Sequence, residues 1–163
     1  MRKTLQLLIV LACGPTVALG DEPLPPPSSH EVASENKAVV VVSSPSGGTH
    51  VLESASRREL WSMPGWFRWP FVSNDGACVA TGYDGLNLIP QNYSDDLVLV
   101  TFWREGNRVR EVHVKDVYSD RAKPIRTVSH YHWGTIKGFS DERTLAVQRA
   151  DGKALEFACV SKE

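Results

Sequence analysis

The chain has 163 residues, of which 42% are hydrophobic and 23% charged, and a formal net charge of −1. A chain of this size builds one modest core, and its near-neutral charge without any basic stripe excludes an electrostatic nucleic-acid binder. No apolar run approaches the roughly 18 residues of a membrane-spanning helix, so no transmembrane segment is expected.

Residues 1–20 read as a secretory signal peptide. Arg2 and Lys3 make a basic start, Leu5 to Ala12 is apolar except for Gln6, and Gly14-Pro15 ends any helix. Ala18-Leu19-Gly20 places small residues where a leader peptidase reads them, so cleavage is expected after Gly20. An alternative takes Val10-Leu11-Ala12-Cys13 as a lipobox, which it resembles in part, with Cys13 lipidated as the new N-terminus. Residues 21–37 (DEPLPPPSSHEVASENK) then read as a disordered linker or tether, because proline and polar side chains bury too little surface to order themselves. Removing the leader takes away two positive charges and no acid, which moves the net charge from −1 to −3.

The remaining segment, 38–163, is expected to be one β-rich domain. Ala38 to Ser43 (AVVVVS) is mostly β-branched and stops at the turn cluster Ser44-Pro45-Ser46-Gly47-Gly48. Ser54 to Leu60 (SASRREL) is the one helix-friendly piece, sufficient for a turn or two. Asp75-Gly76 and Asp84-Gly85 mark turns on either side of a short strand, Cys78 to Thr81. Asn92-Tyr93-Ser94 is formally a glycosylation sequon, but the short leader points to a bacterial host, where it is only a turn. Leu97 to Trp103 and Val109 to Val114 flank Arg104-Glu105-Gly106-Asn107 as a hairpin, with Gly106 and Asn107 able to supply the positive φ of a tight turn. A second hairpin joins Leu145–Gln148 to Ala154–Ala158 through Ala150-Asp151-Gly152-Lys153. Strands of about five residues, punctuated every 8–12 residues, predict an all-β antiparallel meander, sandwich or barrel.

Export leaves Cys78 and Cys159 as an even pair in an oxidising compartment, a candidate disulfide. Two separate buried thiols are the alternative. The sequence also echoes itself: Phe71-Val72-Ser73-Asn74-Asp75-Gly76 before Val79 matches Phe139-Ser140-Asp141-Glu142 before Leu145, each after a Trp-containing segment. Units of this kind resemble the blades of β-propeller repeats, over about 60 residues of the chain. Two such units cannot close a ring, so the resemblance implies a stack of antiparallel hairpins in one small domain.

Two clusters carry candidate chemistry. His130-Tyr131-His132 places two histidines on one face of a strand, where they would ligate a metal with His113 or an aspartate as third ligand. Two ligands alone do not make a site. Ser129 beside His130 is adjacent in sequence, which does not imply a hydrogen bond, and no G-x-S-x-G elbow is present. The second cluster is Trp61, Trp66, Phe67, Trp69 and Phe71, with Arg58 and Arg68 nearby, interrupted by Pro and Gly. Such a strip either caps the core or forms a platform for a sugar or peptide ligand, with Trp61, Trp66, Trp69 and Arg68 as ligand-binding residues. The combined reading is an exported envelope accessory or binding module with a protein or glycan partner, no catalytic residue and no cofactor. A small hydrolase or metal-dependent enzyme using His130 and His132 is the alternative, and a structural lipoprotein anchored at Cys13 a second.

Overall fold

The computed structural model describes residues 24–83 and 87–160. The chain lays down antiparallel sheets one after another. The first pairs β1 (His30–Ala33), β2 (Val39–Ser44), β3 (Gly48–Glu53) and β4 (Glu59–Met63) in chain order. The second takes β5 (Pro70–Val72) and β6 (Val79–Gly82), makes an excursion through β7 (Leu88–Pro90), and adds β8 (Val98–Arg104) and β9 (Asn107–His113). After the one-turn helix α1 (Val114–Val117), β10 (Ile125–Arg126) and β11 (His130–His132) return to pair with β7 as a small three-stranded sheet. The third meander is β12 (Gly134–Phe139), β13 (Thr144–Arg149) and β14 (Ala154–Ala158).

Strand alternation explains how these sheets stack. In β2 and β3, Val39, Val41 and Val51 face the second sheet and meet Val72 and Val79, forming one core with Met63. The opposite face of the second sheet presents Ala80, Val100, Phe102 and Val112 to Leu145, Val147 and Phe157 of the third sheet. Each face of the second sheet thus contributes to one of two cores. Its first strand, β5, lies against both β1 and β12, so the leading strands of the three meanders gather together. No barrel closes among the described residues. The architecture is all-β, as the turn spacing predicts.

The internal echo has a structural counterpart at a different pair of positions. In the β5–β6 turn, Ser73 N–H donates to the Cys78 carbonyl, Cys78 N–H to Ser73 Oγ, and Ser73 Oγ to Asp75. The β1–β2 turn repeats every one of these bonds with Ser34, Asn36 and Val39. Lys37, at φ 60°, stands where Gly76 has φ 72°. The two turns also touch, Asn36 N–H donating to Asn74 Oδ1 at 3.0 Å. At β12–β13, Asp141 gathers the Arg143 and Thr144 amides in a turn one residue shorter.

Several local expectations change. His30–Ala33, inside the stretch read as linker, pairs with Val40–Ser43, because the β-branched β2 offers a long partner for even a polar four-residue strand. The SASRREL segment forms no helix: Arg57 enters the left-handed region at φ 58° and Glu59 already belongs to β4. The β8–β9 turn is Glu105-Gly106, with φ 48° and 80°, one position earlier than expected. Cys78 and Cys159 form a disulfide with Cα atoms 6.5 Å apart. No described helix is long and apolar enough to cross a membrane. The leader with Cys13, and the Asp84-Gly85 turn, lie outside the described residues.

Candidate functional site

A cleft of about 1040 Å³ opens over the face of the second sheet. Its floor comes from strand register. Thr81, Thr101 and Glu111 stand opposite one another on β6, β8 and β9, so their side chains form one polar row on one face. Trp103 lies beside that row and donates its indole N–H to Thr81 Oγ1 at 3.0 Å. Its opposite number on β9 is Arg108, whose guanidinium lies 5.7 Å from the Trp103 ring centroid and pairs with Glu111 at 2.7 Å.

The walls are supplied by the connections between strands. The link from β4 to β5 contributes Trp66, Phe67, Arg68 and Trp69, and β5 adds Phe71. Proline and glycine at Pro64-Gly65 keep this link out of the ladder, with Gly65 at φ 92°. Phe67 anchors it: its N–H donates to Ser43 Oγ at 2.8 Å, and its ring packs 5.5 Å from that of Trp103. Trp66 is tied to the N-terminal segment by a 2.8 Å bond from its indole N–H to the Ser28 carbonyl. Trp69 is 40% exposed, the largest exposed aromatic side chain described. Tyr83, Asn87, Thr135 and Ile136 close the far side.

Arg68 is the electrostatic oddity of this cleft. Its guanidinium carbon sits 4.9 Å from the Trp66 ring and 5.5 Å from the Trp69 ring. It has no ion pair among the described residues, and its Nε is buried without a hydrogen-bond partner. Among the described residues, two arginines and one glutamate line the cleft, which leaves one positive charge there without a described counter-charge.

The other sequence candidates are placed elsewhere. Trp61 is not part of the cleft lining; it packs on the core between the first two sheets and donates to the Gly76 carbonyl at 2.8 Å. His113 caps α1 beside Glu111 and Asp116, whereas His130 and His132 lie in β11. Among the described residues, no group of three His, Cys, Asp or Glu side chains is arranged to hold a metal ion. Ser129 Oγ and His130 Nδ1 do come within 2.8 Å, because Ser129 precedes β11 and escapes strand alternation. That pair lies at the start of β11 and is not part of the cleft lining. Trp133, next to His132, is fully buried in the core. Trp103, Tyr83, Arg108 and Glu111 had no distinguishing signal in the sequence; only strand register brings them to the aromatic strip. No model of a known protein family matches the chain, and no curated protein is detectably similar to it.

Proposed function

We propose that this protein is an exported binding module of the bacterial envelope, not an enzyme, and that the aromatic cleft takes its ligand. The observation that carries the reading is Trp69, exposed beside the half-buried Trp66 and facing a concave site that also holds Trp103, Tyr83 and Phe71. Ligand sites combine apolar walls with a few placed polar groups, and the threonine row with Arg68 meets that description. Export is supported by the leader-like first twenty residues and is compatible with the disulfide. Titration of the protein's tryptophan fluorescence against envelope glycans and peptides tests the site. A saturable change that Trp69→Ala abolishes at unchanged melting temperature is expected; a ligand whose binding ignores both Trp66→Ala and Trp69→Ala would place the site elsewhere. N-terminal sequencing of exported protein is expected to begin at Asp21, and a lipid on Cys13 would establish the anchored alternative.

A further inference from the structure

We infer that the occupant of the cleft is a uronic-acid glycan, its ring carboxylate bound by Arg68. The inference rests on the proposed binding role of the cleft and names its ligand class. Arg68 suits an anion: a guanidinium carries five donors that match a carboxylate bidentately, and among the described residues this one forms no ion pair and its Nε has no hydrogen-bond partner. The other cation, Arg108, is already neutralised by Glu111.

The position of that charge limits where the carboxylate sits on the ligand. The guanidinium carbon is 5.5 Å from the Trp69 ring, so a group stacked on the exposed part of that indole must hold its carboxylate within about one ring's width. A uronic acid does so, because its carboxylate is attached directly to the pyranose whose C–H face meets the indole. The rest of the lining suits a sugar chain. Thr101, Thr135 and Asn87 offer neutral hydroxyl and amide partners, and a cleft of about 1040 Å³ exceeds one sugar ring. An acidic peptide would share the charge but not the flat, hydroxyl-bearing body.

The test compares tetragalacturonic acid with its fully methyl-esterified form by calorimetry on the disulfide-intact protein. The acid is expected to bind and the ester to bind at least about tenfold more weakly, as loss of a charge-assisted pair implies. Arg68→Gln is expected to lower affinity for the acid to that for the ester, and Arg68→Lys to restore part of it. Trp69→Ala, with its melting temperature checked, is expected to remove binding of both. Equal affinity for acid and ester would overturn the carboxylate assignment while leaving the cleft as a glycan site. Binding of a poly-glutamate peptide with none of the tetragalacturonate would overturn the glycan class but keep Arg68 as the anion site. No Trp66- or Trp69-dependent binding of any of the three would overturn this inference, and the cleft reading itself would then rest on the wider fluorescence titration.

Discussion

Cys78 and Cys159, 81 positions apart in the chain, are joined across two sheets: Cys78 stands immediately before β6 in the second, Cys159 immediately after β14 in the third. Both are buried in the same core, so the bond clamps the last described strand onto the centre of the fold. Closing a loop of that length restricts the unfolded chain by about 4.5 kcal/mol on chain-entropy grounds. The double variant Cys78→Ser, Cys159→Ser is expected to lose at least that, since each buried serine also needs a hydrogen-bond partner. Denaturant unfolding of oxidised protein and variant measures it, and mass spectrometry of non-reduced protein is expected to show two hydrogens fewer than the thiol form.

Arg149 is a buried charge whose side chain is 2% exposed, and it is fully committed. It donates to Asp120 at 2.8 Å, to both oxygens of Asp151 and to the Val117 carbonyl, and it lies 4.6 Å from the Tyr118 ring. Bonds from Lys153 and Arg149 hold the Asp120 carboxyl below its usual 3.8, and Arg149 does the same for Asp151. Carboxyls depressed in the folded state stabilise it above the unfolded value and lose that contribution as pH falls. Thermal stability is therefore expected to hold from neutral pH to about 4 and to drop below it. Asp120→Asn with Asp151→Asn is expected to lower the melting temperature at neutral pH, because it leaves the buried guanidinium without its counter-charges, and to flatten the acid loss. Arg149→Met, which leaves two solvated carboxylates instead, is expected to cost less. Melting curves between pH 3 and 7 decide both points.

Much of the scaffold is legible in the residues, and the reasons are local. The β-branched β2 and the Asp151-Gly152 turn declare themselves within a few positions, and Gly106 marks the β8–β9 hairpin although its two-residue loop starts one position earlier than the residues suggest. β1 is not legible, since His30–Ala33 carries no apolar alternation and becomes a strand only through its partner. The cleft is still less readable. Trp66 and Trp69 are conspicuous in sequence, but Trp103, Glu111 and Thr135 join them through register across the sheet and the approach of β12. That information is long-range. The histidines illustrate the converse, because the two-residue spacing of His130 and His132 fixes a shared face and says nothing about a third ligand.

The tryptophans offer a direct comparison of core and surface. Trp133 is wholly buried, and its carbonyl accepts the Tyr118 hydroxyl at 2.6 Å, so Trp133→Ala is expected to cost about 3–5 kcal/mol through the cavity it leaves. Trp61→Ala, which loses packing between the first two sheets and the bond to Gly76, is expected to cost an intermediate amount. Trp69→Ala, at the most exposed of the three positions, is expected to cost the least, giving up its partial packing and its contact with Arg68. Denaturant midpoints of the three variants give the order directly. A large loss at Trp69 would make that side chain part of the core and remove it as a ligand platform.

The β8–β9 turn makes a prediction in the stabilising direction. Arg104 and Asn107 are paired, which leaves Glu105-Gly106 as a two-residue loop with positive φ at both positions, the geometry of a type I′ turn. Gly106 suits its place: a Cβ there would come within 2.7 Å of the Ser62 carbonyl oxygen, and Gly106→Ala is expected to cost about 2 kcal/mol. Glu105 does not suit its place, since the left-handed region costs an ordinary residue about 1–2 kcal/mol and asparagine markedly less. The contact of Glu105 with Arg104, at 4.0 Å between exposed side chains, offsets little of that. Glu105→Asn, creating the Asn-Gly pair this turn favours, is therefore expected to raise stability by about 0.5–1 kcal/mol. Because the turn lies apart from the cleft lining, ligand affinity is expected to stay unchanged. A lower denaturant midpoint for Glu105→Asn would mean that the turn is not held in this conformation in solution.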